Sequence, residues 1–361
     1  MYLAVLGRQS EISIAELEAL FDDVKKKNDF LACFESEVVP NIDKLGGSLK
    51  LAEKLNTKPL DYLAKMSEGK NTIGISDYSK KASRKTATME ALKLKKILVS
   101  HGRSVRVVEN KEAVLSTATS LHNGLSGKNE RKIELIKVDN DWYKVIGVQD
   151  IDAYTNRDQK RPARDAKVGM LPPKLAQILI NLCGCLKSGS TILDPFCGTG
   201  VVLQEALLMG YYAYGTDLSE RMIEYSEKNL KYFGFKDYKA EQGDATSFQW
   251  KHPINAVACE GYLGKPMSRI PTEMELKEQK QECGVIVTGF LKNLADQIKP
   301  GTPVVIAIPA WLRENGERER LDVLDLIADM GYNVNNKSRE GLIYCREKQI
   351  VARDILILRK K

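Results

Sequence analysis

The run Asp194-Pro195-Phe196-Cys197-Gly198-Thr199-Gly200 follows directly on the apolar stretch Thr191-Ile192-Leu193. A strand that ends on Asp-Pro-Phe and turns through Gly-Thr-Gly into a helix makes a ligand seat in an α/β architecture. The glycines let the backbone approach a ligand with no Cβ in the way, and the first N–H groups of the helix face that ligand. Asp217 and Asp244 close the next two strand-like runs. The spacing from Asp194 to Asp217 is one helix plus one strand, so the two acids belong on neighbouring strands. Carboxylates on one sheet edge suit a cationic, hydroxyl-rich ligand better than a pyrophosphate. The dinucleotide pattern Gly-x-Gly-x-x-Gly needs a glycine at 203, where Leu203 stands.

Around this run the pattern alternates strand and helix, which predicts a mostly parallel sheet. Its strands are expected at 191–194, 212–217, 238–243, 254–260 and 302–309. A hairpin of 342–346 and 351–358 across Glu347-Lys348-Gln349 is expected to finish it. Residues 1–149 read as α+β. Strands are expected at 2–6, 30–36, 71–76, 104–108, 131–138 and 142–149. Helices are expected at 10–21, with Ser13 and Glu16 as a capping box, at 45–56, in the second half of 79–98, and at 112–124. The segment 150–169 carries Arg157, Lys160, Arg161 and Arg164 without a helical apolar stripe. It reads as a linker and substrate-facing loop.

The 361 residues carry a net charge of +7. The excess is concentrated: residues 44–106 hold 15 basic and 5 acidic side chains. A basic surface beside a nearly neutral ligand domain points to a polyanion partner. Lys80, Lys81, Arg84, Lys85, Lys93, Lys95 and Lys96, with Arg161 and Arg164, are the candidate phosphate contacts. The seven scattered cysteines form no Cys-x-x-Cys pair, which argues for reduced thiols and against zinc. No metal is expected. No apolar run is long enough to span a bilayer, and the first residues lack a signal-peptide pattern. The expected location is the cytoplasm, with no membrane partner.

The candidate catalytic strip is 254–266, a strand ending in Glu260 followed by Gly261 and Tyr262. Chemistry on an exocyclic amine needs acceptors that hold the NH₂ group and aim its nitrogen. The Glu260 carboxylate and the Gly261 carbonyl can serve, and Tyr262 can stack on an extruded base. The plain alternative is a core tyrosine beside a surface acid.

The Asp194–Gly200 run resembles motif I of the amino-directed S-adenosylmethionine methyltransferases. With Arg161-Pro162 and Gly169-Met170-Leu171-Pro172-Pro173-Lys174-Leu175-Ala176 upstream, the chain resembles the THUMP-domain tRNA guanine-N2 methyltransferases, which act on guanosine 10. The resemblance implies a class I methyltransferase domain over 170–361, Rossmann-like and mostly parallel, with seven strands and a C-terminal antiparallel hairpin. It also implies a ferredoxin-like domain over 1–60, a THUMP-like RNA-binding domain over 61–149 and a linker over 150–169. By the same resemblance Asp194, Phe196, Gly198 and Gly200 surround the methionine part of S-adenosylmethionine. Pro172 and Lys174 close over it, Asp217 holds the ribose and Asp244 the adenine, and Leu218 and Ala245 are further cofactor-binding residues. The catalytic pattern of the family, Asp-Pro-Pro-Tyr, is here Glu260-Gly261-Tyr262-Leu263, with a longer acid, no proline and the tyrosine one place early.

The expected function is N2-methylation of tRNA guanine by a monomer, with a small activating protein as an open partner. Two alternatives stay open. One is a DNA amino-methyltransferase. The other is a non-catalytic RNA-binding protein with a degenerate methyltransferase domain.

Overall fold

The computed structural model describes residues 1–164, 171–347 and 349–361. The chain divides into two compact units, residues 1–153 and 154–361. Gly169 and Met170 of the upstream motif, and Lys348 of the expected hairpin turn, lie outside the described residues.

Among the described residues the first unit is built on one eight-stranded sheet. Its strands are β1 (Tyr2–Leu6), β2 (Asp22–Asn28), β3 (Leu31–Glu35), β4 (Ser48–Lys54), β5 (Lys70–Asp77), β6 (Ser104–Val107), β7 (Lys132–Val138) and β8 (Asp141–Val148), in the order β2-β3-β1-β4-β8-β7-β5-β6. The helices are α1 (Ser10–Leu20), α2 (Pro59–Ala64), α3 (Arg84–Ser100) and α4 (Thr117–His122). The sheet runs unbroken across position 60.

Three local expectations fail in this unit. Residues 45–56 are not a helix but contain β4, paired with β1 and β8. Leu51 and Ala52 are fully buried there, and pairing on both sides overrides the helix preference of Leu, Ala, Glu and Lys. Ser13 and Glu16 do not cap α1, whose N-cap is Gln9. They lie inside it, where Ser13 Oγ donates to the Gly47 carbonyl at 2.7 Å and Glu16 accepts the Gly46 and Gly47 N–H groups at 2.9 and 2.8 Å. A Cβ on Gly47 would lie 2.9 Å from the Ser13 Cα, so glycine is needed for this approach. Of the helix expected at 112–124, only α4 forms. Upstream of it Leu115 packs with Val108 and Leu125.

The expected linker also departs from the reading. Ile151–Gln159 is a helix, α5, which crosses the division between the units. Within the second unit its Tyr154 is buried and its hydroxyl donates to Gln177.

The second unit continues with α6 (Pro173–Asn181), β9 (Thr191–Asp194), α7 (Val201–Leu208), β10 (Tyr212–Asp217), α8 (Glu220–Tyr232), β11 (Tyr238–Gln242), β12 (Ala256–Glu260), α9 (Glu273–Ala295) and β13 (Pro303–Leu312). Then come β14 (Arg318–Arg320), α10 (Leu324–Asp329), β15 (Tyr332–Val334), α11 (Asn336–Glu340), β16 (Ile343–Tyr344) and β17 (Val351–Lys360). The sheet order is β11-β10-β9-β12-β13-β17-β15, with β14 on β13 and β16 on β17. From β11 through β13 neighbours are parallel, while β17 enters antiparallel between β13 and β15. This is the class I methyltransferase order. The pairing expected for the hairpin exists, since Ile343 faces Asp354 and Tyr344 faces Arg353. The edge strand, however, is β15, three residues long and too short to leave a period in the sequence. The strand order reverses beside β9, and the carboxyl ends of strands at such a reversal are where α/β sheets bind ligands.

Candidate active site

Three carboxylates close strands on this rim: Asp194 on β9, Asp217 on β10 and Glu260 on β12. Asp194 is 2% exposed, and its Oδ1 accepts the Phe196 N–H at 3.1 Å. Burial pushes its carboxyl well above the usual range, and the charges of Asp217 and Glu260 push the same way.

The Gly-Thr-Gly turn is stitched to the next strand. The Cys197 N–H donates to the Thr216 carbonyl, and the Gly198 N–H donates to Asp217 Oδ2, each at 2.9 Å. Asp217 Oδ1 accepts the Ser219 N–H at 2.9 Å. Burial raises the Asp217 carboxyl, and those two backbone bonds oppose the rise. The two glycines have different duties. At Gly200, with φ +82°, a Cβ would lie 2.3 Å from Ser226 Oγ, so α7 can start against α8 only from glycine. At Gly198 a Cβ would meet nothing nearer than 3.9 Å, so this part of the turn faces open space.

The remaining expected ligand residues fall around that space in different ways. Phe196 is half-buried, edge-on to Phe290 with ring centres 5.3 Å apart. Leu218 is 70% exposed just past Asp217. Asp244 is exposed after β11, and its Oδ1 accepts the Thr246 N–H and hydroxyl at 2.9 and 2.7 Å. Ala245 is buried, with its carbonyl accepting Asn293 Nδ2 at 3.0 Å. Pro172 caps α6, and Lys174 Nζ stands 5.1 Å from the centre of the Tyr154 ring.

Sequence reasoning missed Asn229, an inconspicuous residue of α8. It is 1% exposed. Its Nδ2 donates to the carbonyls of Ala163 and Thr199, and its Oδ1 accepts the Ala163 N–H, all at 2.9 Å. One side chain thereby ties the segment ahead of α6 to the Gly-Thr-Gly turn. Arg161 belongs to the same support and is corrected as a phosphate contact. It is 3% exposed, its guanidinium lying 3.3 Å from Thr199 Oγ1 and 3.5 Å from Asp158. Arg164 is exposed.

The candidate catalytic strip follows β12 and is braced by three other elements, β13, β17 and α9. Glu260 ends β12, and its Oε1 accepts from Arg353 Nε of β17. The Gly261 N–H donates to the Ala307 carbonyl at 2.9 Å. Tyr262 is half-buried, and its hydroxyl donates to Glu282 Oε1 at 3.2 Å. Burial and the Glu282 charge push that phenol up to about 12, so it stays protonated near neutral pH. The turn closes through the Lys265 N–H, which donates to Gln279 Oε1 at 2.7 Å. Beyond it lies a cleft of about 350 Å³ lined by Lys265, Met267, Arg269, Glu278 and Gln279 among others.

In the first unit Lys80, Lys81, Arg84, Lys85, Lys93 and Lys96 are exposed, and Lys95 is half-buried. Arg84 pairs with Glu109 at 3.0 Å on the open surface. No described helix is long and apolar enough to cross a membrane.

Comparison with known proteins bears on this geometry. A family model described as a methyltransferase domain matches residues 186–316, and one described as a DNA methylase matches residues 62–228. The chain is 33% identical over 144 residues to the tRNA (guanine(10)-N2)-dimethyltransferase of Methanothermobacter thermautotrophicus, covering 40% of each chain. It is 42% identical over 106 residues to the protein of that name from Pyrococcus abyssi, covering 27% of this chain and 31% of the relative. It is 40% identical over 139 residues to the probable tRNA (guanine(10)-N2)-dimethyltransferase of Methanothermococcus thermolithotrophicus, covering 37% of this chain and 78% of the relative. The matched stretches thus span less than half of the first two relatives and most of the third. With the motif I turn, the reversed β17 and this coverage, the chain belongs to the tRNA guanine-N2 methyltransferase family.

Proposed function

We propose that the chain transfers a methyl group from S-adenosylmethionine to the exocyclic N2 of a guanine in tRNA, at position 10. The observation that carries the reading is the rim itself. The motif I turn is held open by the Gly198–Asp217 bond, and Glu260 stands on the neighbouring strand. The residues fit the cofactor. Gly198 faces open space, Asp217 keeps lone pairs beyond its two backbone bonds for ribose hydroxyls, and Leu218 offers an exposed apolar side chain beside it. Asp244 keeps Oδ2 for the adenine amino group.

When bound, the cofactor supplies an electrophilic methyl on a sulfonium. The protein's part is placement and charge. Glu260 and the Gly261 carbonyl accept the amino hydrogens of the base and orient its nitrogen. The Glu260 carboxylate opposes the positive charge that grows on that nitrogen. Tyr262 offers a ring face to the extruded base, with its hydroxyl anchored on Glu282. The basic residues of α3 and the segment before it are assigned to tRNA phosphates, and residues 61–149 to a THUMP-like role. A cytoplasmic monomer, with or without a small activating protein, completes the proposal.

The test is mass spectrometry of nucleosides from tRNA incubated with the purified chain and S-adenosylmethionine, with duplex DNA as a parallel acceptor. N2-methylated guanosine from tRNA supports the proposal. A methylated base in DNA alone, or no methylated base, overturns it. The ribose assignment has its own test. Asp217→Ala is expected to weaken cofactor binding at least ~10-fold, the loss of charge-assisted hydrogen bonds. Binding of tRNA, read by filter retention, should hold. Unchanged cofactor affinity in calorimetry would move the ribose elsewhere.

A further inference from the structure

Arg353 is a cation beside Glu260 to which the proposed reaction gives no task. It lies on β17, opposite Pro309 of β13 and Tyr344 of β16. It is 5% exposed. Its Nε donates to Glu260 Oε1, and among the described residues that is its only polar partner. The two terminal amino groups therefore have no acceptor among the described residues, and the side chain keeps 6% of its surface exposed. A guanidinium carries five N–H donors in a fixed plane. Burying that charge is costly unless its donors are matched. One carboxylate bond leaves most of them unmatched, at the point where the substrate base has to enter.

The pair offers a defined pattern. The carboxylate presents acceptors, and the guanidinium beside it presents donors. Guanine's Watson–Crick edge carries two adjacent donors, N2–H and N1–H, followed by the acceptor O6. Adenine and cytosine place a ring-nitrogen acceptor next to their amino group, which would face the carboxylate lone pairs. Arg353 also explains how the longer acid is kept in place. A glutamate has one more rotatable bond than an aspartate, and the bond from Nε fixes its Oε1.

We infer that Glu260 and Arg353 together read the edge of the target guanine, Glu260 taking N2–H and N1–H while the free amino groups of Arg353 donate to O6. This makes Arg353 a specificity-determining residue for the reaction proposed above, and the inference rests on that reading. A residue that only positioned Glu260 would serve every acceptor base alike. One that reads O6 would matter only for bases that carry O6.

The experiment compares tRNA bearing guanine with tRNA bearing 2-aminopurine at the modified position. 2-Aminopurine keeps the amino group but lacks O6 and N1–H. The full chain should use guanine at least ~100-fold better by kcat/KM, as sites built around a hydrogen-bonding group do. R353Q should lose ~10- to 100-fold more on guanine than on 2-aminopurine, so the preference collapses, while any loss shared by both bases reports the hold on Glu260. R353K, which keeps the charge near Glu260 but only one nitrogen, should fall between and serves if R353Q does not fold. An equal loss on both bases overturns the inference and leaves Arg353 as a brace for Glu260. Equal use of both bases by the unaltered chain overturns it without any variant. If the unaltered chain methylates no guanine, the proposed function fails first, and this inference fails with it.

Discussion

Replacing Glu260 by glutamine is expected to lower turnover on tRNA by about 10²–10³-fold, the usual effect of removing one preorganised group that faces developing charge. The amide keeps the shape of the side chain but not its charge. It opposes less of the positive charge on the reacting nitrogen, and it leaves Arg353 without its ionic partner. Both side chains are largely shielded, at 18% and 6% exposed, so water compensates little. Cofactor affinity should change less than ~3-fold, because Asp217 and the Gly-Thr-Gly turn are untouched. Steady-state rates with labelled methyl donor, alongside calorimetric cofactor binding, measure both quantities. A loss in turnover below ~5-fold would place the chemistry on another group.

The second large effect concerns stability, in the first unit. Lys50 of β4 is 1% exposed and Glu134 of β7 is fully buried. The lysine ammonium pairs with Glu134 Oε1 and donates to Ser120 Oγ and the Leu115 carbonyl, each at 2.8 Å. Glu134 also accepts the hydroxyls of Ser76 and Ser120, both at 2.6 Å. Removing one charge leaves the other buried alone. Glu134→Leu is therefore expected to destabilise the unit by about 3–5 kcal/mol. Adding Lys50→Met should restore most of that loss, because an apolar pair of similar volume replaces a buried ion pair at little net cost. Urea denaturation followed by circular dichroism gives the comparison. Equal midpoints for the single and double variants would show that the lysine reaches water once its partner is gone.

These two predictions differ in how far the sequence announces them. Glu260 is legible because a strand-ending acid before a glycine and an aromatic is a local pattern, read against a motif I turn that is local as well. The Asp194-to-Asp217 spacing is legible for the same reason, since one helix and one strand fit between them. Lys50 is not legible. Its neighbours Leu, Ala and Glu favour helix, and the helix expected at 45–56 follows from them correctly as propensity. What makes the segment a strand is β1 on one side and β8 on the other, drawn from residues far along the chain. Ser13 and Glu16 repeat the lesson. Their spacing is that of a cap, while their partners at Gly46 and Gly47 lie outside any window of sequence.

The sequence by itself determined the class of the second unit, the motif I turn and the acids that close its strands, because each depends on short-range periodicity and on the conformational freedom of glycine. Tertiary structure alone decided which side chains meet there. Arg353 reaches Glu260 because β17 runs antiparallel beside β13. Asn229 holds Thr199 because α8 packs against the turn, and Arg161 is buried beside that turn instead of facing solvent. Those meetings are set by strand order and helix packing, long-range contacts that leave no period in the chain.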